Sequence, residues 1–248
     1  MTDFQMISHN IMDVHVHAVT MEEAVRNCIL MAEDANFHMI ATANAEMLMI
    51  AGRDSMLCSI LNQADMVVPD GAGVLWAGEK LHCPFPERVP GIDLMGNLLQ
   101  EASAREWPVY FLGGAPGVAR EAADRFEKTK GPLVIAGIHD GYFTAEEERD
   151  ILDQIRENGS RLLFVGMGVP KQEKWISLHA SEIGPCVAMG IGGAFDVMAG
   201  RLKRAPAWMR NHRMEWAYRL YLQPSRIGRM LALPLFMNAV RRWKSQQT

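Results

Sequence analysis

The sequence predicts an α/β fold, a mostly parallel sheet with helices on both faces and a separate basic segment at its C-terminal end. Three observations point there. Short apolar runs alternate with helix-length amphipathic segments. Glycine-rich or polar turns follow those runs again and again. Around Gly200 the rhythm stops and an arginine- and aromatic-rich stretch begins. We therefore expect one domain over residues 1–200 and an appendage over 201–248.

In chain order, Ile7 to Val19 alternates loosely and reads as an edge strand or hairpin. Its Asp13, His15 and His17 resemble metal ligands, but nothing downstream completes a site, so they read as a solvated strand face. Thr20 with Glu23 three residues on forms a capping box, and Ala24, Cys28 and Met31 follow at helical spacing. Strands are then expected near 38–42, 66–69, 108–112, 133–138, 161–166 and 186–191. Helices are expected near 44–64, 91–106, 116–130, 144–159 and 170–183, with a further helix opening after Asp70. Strands this short and apolar, alternating with helices, belong in a sheet covered on both sides.

Composition narrows the class. The chain has 248 residues, 49% of them hydrophobic and 22% charged, as in ordinary globular domains. Its 18 methionines read as adaptable core filler. Four scattered cysteines, Cys28, Cys58, Cys83 and Cys186, contain no C-x-x-C pair, which fits a reducing cytoplasm better than a zinc site or a disulfide scaffold. Neither a signal peptide nor an uninterrupted apolar stretch of about 18 residues is visible. The net charge of −4 hides a split. Residues 201–248 hold eleven of the 25 Lys/Arg but, in Glu215, only one of the 29 Asp/Glu, so they carry +10 against −14 elsewhere. Such a tail suits an anionic partner: nucleic acid, anionic lipid or a phosphorylated substrate.

In an open parallel sheet, ligands gather beyond the carboxyl ends of the strands. Five polar or glycine-rich turns fall there: Thr42-Ala43-Asn44, Asp70-Gly71, Gly113-Gly114, Gly166 to Glu173 and Gly190 to Asp196. Glycine lets backbone approach a ligand, and a helix N-terminus after such a turn can receive a diphosphate. The expected architecture is Rossmann-like, yet neither G-x-G-x-x-G nor G-x-x-x-x-G-K-[ST] occurs, which counts against dehydrogenases and P-loop ATPases. No D-x-D metal clamp is present either. A nucleotide diphosphate would then meet helix N-termini and basic side chains, with no metal and no cofactor. Asp70, before Gly71 in Pro69-Asp70-Gly71, has two readings: a turn residue bonding its own backbone, or a general base on the ligand rim.

Several stretches together resemble one family. They are Ala41-Thr42-Ala43-Asn44-Ala45-Glu46, Pro69-Asp70-Gly71, Glu87-Arg88-Val89-Pro90-Gly91, Leu112-Gly113-Gly114 and His139-Asp140-Gly141-Tyr142-Phe143. Gly168-Val169-Pro170-Lys171-Gln172-Glu173, Gly192-Gly193-Ala194-Phe195-Asp196, Arg204-Ala205-Pro206 and Glu215-Trp216-Ala217-Tyr218-Arg219-Leu220 complete the set. In order and over nearly the whole chain, they are similar to the WecG/TagA/CpsF family, glycosyltransferase family 26. The resemblance implies an inverting, metal-independent transfer from a UDP-sugar to a polyprenyl-diphosphate-linked sugar at the inner, cytoplasmic face of the membrane. In the teichoic-acid branch the donor is UDP-N-acetylmannosamine and the acceptor undecaprenyl-diphosphate-GlcNAc. Other branches use the mannosaminuronic acid or another hexose.

The family pattern puts the catalytic base at Asp70 and lines its pocket with Thr42 and Asn44. The diphosphate is expected near Gly113-Gly114 and the Gly168–Gln172 loop, with Gln172 toward the sugar or a phosphate. Lys171 and Glu173 read either as site residues or as a solvated first helical turn. Asp196 is expected at the uridine. Arg88, in the Pro-rich loop Pro84–Pro90, reads as closing over the acceptor phosphate or as a plain surface residue. Arg219, Arg226 and Arg229 match arginines thought to reach the lipid diphosphate, and Arg226 and Arg229, three apart, share a helix face. Met230 to Val240 is too short to span a membrane and contains Pro234. Flanked by arginines and Trp243, it reads as an interfacial helix, or else as a terminal helix docked on the domain. Nucleic acid is the least favoured partner, since no binding motif accompanies the charge, and members of the family suggest a homo-oligomer.

Overall fold

The computed structural model describes residues 6–206, 209, 218 and 232–247. An N-terminal hairpin, β1 (Ser8–Ile11) and β2 (Val14–His17), turns at Met12 and Asp13, both at positive φ (53° and 69°). Positive φ at both central residues matches the right-handed strand twist of a two-residue hairpin. The half-buried His17 joins this hairpin to the main sheet, because its Nδ1 accepts the Val67 N–H at 2.9 Å. Asp13 and His15 are exposed as expected, but His17 therefore departs from a purely solvated face. No metal-binding cluster forms among the described residues.

The chain then alternates through α1 (Met21–Glu33), β3 (Phe37–Ala43), α2 (Ala45–Ala51), α3 (Ser55–Gln63), β4 (Met66–Pro69), α4 (Ala72–Lys80) and α5 (Gly91–Arg105). After these come β5 (Pro108–Gly113), α6 (Val118–Lys130), β6 (Val134–His139), α7 (Ala145–Glu157), β7 (Leu162–Gly166), α8 (Lys171–Leu178), α9 (Ala180–Ile183), β8 (Cys186–Gly190) and α10 (Ala194–Met198). The Thr20–Glu23 capping box opens α1 as read from the sequence. Two expected helices are each divided. The segment 44–64 breaks at Gly52, and Asp54 restarts it by accepting the Leu57 N–H at 3.1 Å. Asp was therefore a cap inside what reads as one periodic run. The segment 170–183 breaks at His179.

Six strands pair in the order β4-β3-β8-β7-β5-β6, every pair parallel. All six carboxyl ends thus share one rim. Crossovers place α2, α3, α7 and α8 over one face, where Leu48, Leu57, Ile155 and Ile176 are buried. Helices α1, α5, α6 and α10 cover the other, with Met31, Leu98, Phe126 and Phe195. Burial on both faces explains why the strands read as continuous apolar runs.

A last helix, α11 (Ala232–Gln247), lies against α2 and α4 and buries Phe236 and Val240 completely in the first of these cores. Pro234 falls in its first turn, where a missing N–H is tolerated, so it does not interrupt the helix. The face carrying Phe236 and Val240 is spent on the domain; the side left outward holds Leu235, Asn238, Arg241 and Arg242. No helix among the described residues is long and apolar enough to cross a membrane. Arg219, Arg226 and Arg229 lie outside the described residues.

Removing a fully buried aromatic ring costs about 3–5 kcal/mol, much of it from the cavity left behind. Phe236→Ala should consequently loosen α11 before the sheet. Amide hydrogen exchange should speed up within residues 232–247 and stay unchanged in β3 and β8; uniform acceleration would show instead that α11 and the sheet open as one unit.

Candidate active site

Asp70 is the first residue beyond β4, and its placement is set by backbone. Its N–H and that of Gly71 both donate to the Ala43 carbonyl, at 2.9 and 3.2 Å, which locks the turn to the end of β3. A Cβ on Gly71 would stand 3.1 Å from Asn44 Cβ and 3.2 Å from its Cα, so the two turns are in contact. Asn44 caps α2, its Oδ1 accepting the Met47 N–H at 3.0 Å. Thr42 is buried beneath Gly91, where a Cβ would come within 2.9 Å of Thr42 Cγ2. The three residues of the T-x-N and P-D-G segments thus meet at one corner of the rim, on neighbouring strands.

The Pro-rich loop closes on the same corner. Val89 N–H donates to the Pro69 carbonyl at 2.9 Å, and Glu87 turns the other way to accept the N–H of Met21 at the start of α1. Between them Arg88 donates through Nε to the Asp70 carbonyl and through its terminal nitrogen to Asp70 Oδ1, at 3.4 Å. The pair is partly buried, 21% and 27% exposed at the side chains, so water screens it only partly. Arg88 is therefore a neighbour of the carboxylate, a contact that sequence spacing of 18 residues could not reveal.

At the centre of the rim a buried polar pair joins two loops. Gln172 Oε1 accepts the N–H groups of Gly168 at 3.1 Å and Gly192 at 3.0 Å, and its Nε2 donates to Glu173 Oε1 at 2.7 Å. Gln172 is 1% exposed and Glu173 wholly buried. The reading of Glu173 as a solvated first-turn residue is thereby corrected: it faces inward, and burial raises its carboxyl above the ordinary 4.5. Its Oε2 has no hydrogen-bond partner among the described residues. Lys171, by contrast, is exposed, with Nζ 3.3 Å from the Gly141 carbonyl and 5.6 Å from the centre of the Phe143 ring.

Gly113 and Gly114 spend their freedom on the protein's own backbone. Gly113 has φ +125°, and a Cβ there would sit 2.5 Å from the Gly166 carbonyl oxygen. Gly114 donates to that same carbonyl at 2.9 Å and accepts from Gly141 N–H at 2.9 Å. These two glycines seat three loops against each other. Asp196 is half-buried in the first turn of α10, and its carbonyl accepts the Leu202 N–H at 3.0 Å. Beyond it the start of the basic segment is stapled by two fork-to-fork pairs, Arg201 on Glu121 (2.7 Å twice) and Arg204 on Asp93 (2.6 and 2.5 Å). Neither acid was singled out in the sequence, where each looks like a helix-surface charge.

Strand spacing gives the rim a scale. At about 4.8 Å per strand, the β7 loop lies about 14 Å from the β4 end that carries Asp70, and the β5 turn about 19 Å. A separate polar hollow of about 540 Å³ lies between α1 and α5, lined by Glu22, Glu87, Asn97, Gln100 and Glu101 among others. Its Glu87 belongs to the loop that carries Arg88, but its acidic lining does not suit a diphosphate.

Residues 9–248 match the family model described as Glycosyl transferase WecG/TagA/CpsF family. A Staphylococcus aureus protein named N-acetylglucosaminyldiphosphoundecaprenol N-acetyl-beta-D-mannosaminyltransferase is 35% identical over 237 residues, covering 95% of this chain and 92% of its own. A Bacillus spizizenii protein of the same name is 35% identical over 201 residues, 81% of this chain and 77% of its own.

The buried acid yields a pH test. A carboxyl raised in the fold favours the folded state while it is protonated; that contribution is fully present below pH 4.5, the ordinary glutamate value, and is lost as pH rises through the higher folded value. Glu173→Gln cannot ionise. Between about pH 4 and about pH 8, urea unfolding should show the wild type losing stability relative to Glu173→Gln. A constant difference over that range would mean that Glu173 ionises as it would in water.

Proposed function

The chain belongs to the WecG/TagA/CpsF family of glycosyltransferases, and from that premise we propose that it transfers N-acetylmannosamine from UDP-N-acetylmannosamine to GlcNAc on undecaprenyl diphosphate, with inversion and without a metal. One observation carries the reading: Asp70 stands at the rim corner with Thr42, Asn44 and Arg88 around it. Names of the relatives supply the sugar and the acceptor.

In this reading Asp70 takes the proton from the acceptor hydroxyl as it attacks the anomeric carbon from the face opposite UDP. One carboxylate serves, because UDP departs as a stabilised diphosphate anion without needing a proton, whereas inverting glycoside hydrolysis needs a second carboxyl to protonate its leaving oxygen. Arg88 holds Asp70 in line and contributes positive charge toward the acceptor's phosphate. The donor must lie along the rim, its sugar near β3 and β4 and its nucleotide toward β8 and β7. A diphosphate at Gly113-Gly114, about 19 Å from Asp70, would leave the anomeric carbon out of reach, since reacting atoms must come within about 3–3.5 Å. Charge building on UDP is met by Lys171 and the N-terminus of α8, beside loops whose Gly168 and Gly192 N–H groups are themselves held on Gln172 Oε1, with Asp196 toward the uridine.

Arg219, Arg226 and Arg229 bring the lipid diphosphate to the domain, and the basic C-terminal segment holds the enzyme on the inner face of the membrane as a peripheral protein. Polymers built on such lipid-linked disaccharides, teichoic acids among them, are the class of product.

Asp70→Asn should abolish transfer to a short-chain lipid-diphosphate GlcNAc acceptor while leaving UDP affinity within about twofold; turnover within about tenfold of wild type would remove Asp70 from the base role. The same assay, run over a panel of UDP-sugars with and without EDTA, should favour UDP-N-acetylmannosamine and be indifferent to chelation. Preference for the mannosaminuronic acid donor would move the protein to another branch of the family. For the membrane role, co-sedimentation with anionic vesicles should fall when Arg226 and Arg229 are both replaced by Ala and should weaken with salt; binding that persists undiminished would refute it.

A further inference from the structure

The Gln172–Glu173 pair does more than fill space. Gln172 Oε1 is the single acceptor for two loop N–H groups, Gly168 after β7 and Gly192 after β8. A glutamine amide is free to rotate by half a turn, and the turned form would aim NH₂ at those two N–H donors. Something must hold the oxygen toward them. Glu173 Oε1 does so by accepting from Gln172 Nε2 at 2.7 Å. The surroundings leave little room for any other arrangement, since a Cβ on Gly190 would lie 2.6 Å from Gln172 Nε2 and 3.0 Å from Glu173 Oε1. Gly190 is also the residue whose carbonyl Thr42 Oγ1 approaches, at 3.5 Å, from β3. The pair is thus wedged between the end of β8 and two loops of the rim.

We propose that Glu173 is a positioning residue for the donor site: it fixes the Gln172 amide and, through it, the Gly168 and Gly192 loops that face the donor's diphosphate. The ligand half of this statement rests on the donor reading given above. A wholly buried carboxylate with one unpartnered oxygen would be costly if charged, and burial shifts Glu173 toward its neutral acid. A neutral carboxyl still offers Oε1 as acceptor. What the site requires is that acceptor and not a negative charge, and an added charge beside a diphosphate would work against binding.

Three variants test this in the full-length protein. Glu173→Leu keeps the volume and removes the acceptor; Glu173→Gln keeps an acceptor and no charge; Gly190→Ala pushes the pair apart while leaving both side chains. Amide exchange at Gly168 and Gly192 reads the loops without any ligand, and calorimetry with UDP reads the site. In Glu173→Leu and Gly190→Ala both amides should exchange faster, UDP should bind roughly tenfold more weakly, and the donor KM should rise by more than kcat falls. Glu173→Gln should stay within about twofold of wild type in every reading. A purely structural role would lower the melting temperature of Glu173→Leu but leave UDP affinity of the folded protein unchanged, and that result overturns the proposal. So does a Glu173→Gln variant as impaired as Glu173→Leu, because it would mean that the charge is needed. If Glu173→Leu does not fold, Gly190→Ala decides by the same criteria. Wild type that fails to bind UDP overturns the donor reading, and the exchange data then judge the positioning of the loops separately.

Discussion

Glycine backbone packed directly against neighbouring backbone and side chains at the rim is the constraint on which the rest depends. Six parallel strands end on one edge, and the turns leaving them must fit side by side within about 4.8 Å of each other. Side chains would hold them apart. Gly71 therefore touches Asn44, Gly91 touches Thr42, Gly113 lies on Gly166, and Gly190 lies on the Gln172–Glu173 pair. Each contact falls below or near the limit for a Cβ, so these glycines serve the protein's own packing before any ligand's. The rim that results holds its turns at a fixed spacing.

That spacing separates the chemistry into two regions. The β3–β4 corner carries the carboxylate with its arginine, held by bonds from Asp70 and Gly71 to one carbonyl of the next strand. The β7–β8 region carries two loops tied to one another by a buried amide. In the proposed reaction, group transfer benefits when the carboxylate and the loops facing the diphosphate are both preorganised and cannot relax toward each other. A sheet edge provides this separation with little further expense, because strand order sets it.

Around the domain, the same logic governs the C-terminal segment. Arg201 and Arg204 fasten its first residues to α6 and α5 on one face, while α11 buries Phe236 and Val240 against α2 and α4 on the other. Leu233 and Phe236 of α11 crowd Gly73, three residues after Asp70. The appendage expected from the break in rhythm and the basic charge after Gly200 is thus, in its described part, also a piece of the core near the rim corner.

The sequence by itself determined the fold class, the six strands, the capping box at Thr20, the rim turns and the identity of Asp70 as the carboxylate to consider. These are local properties: apolar period, caps and turn chemistry are written in consecutive residues. Motifs in their order also led to the family. Only the tertiary structure decided that Arg88 reaches Asp70, that Glu173 faces inward, that Gly113 and Gly114 serve loop packing, and that the terminal helix docks on the domain. Nothing in the sequence near Glu173 distinguishes it from the solvated acids that open other helices. Its burial comes from the β8 backbone at Gly190 lying against it, and which strand neighbours which is fixed by long-range pairing that local pattern does not encode. Asp93 and Glu121 were missed for the same reason, since their arginine partners come from more than 75 residues away.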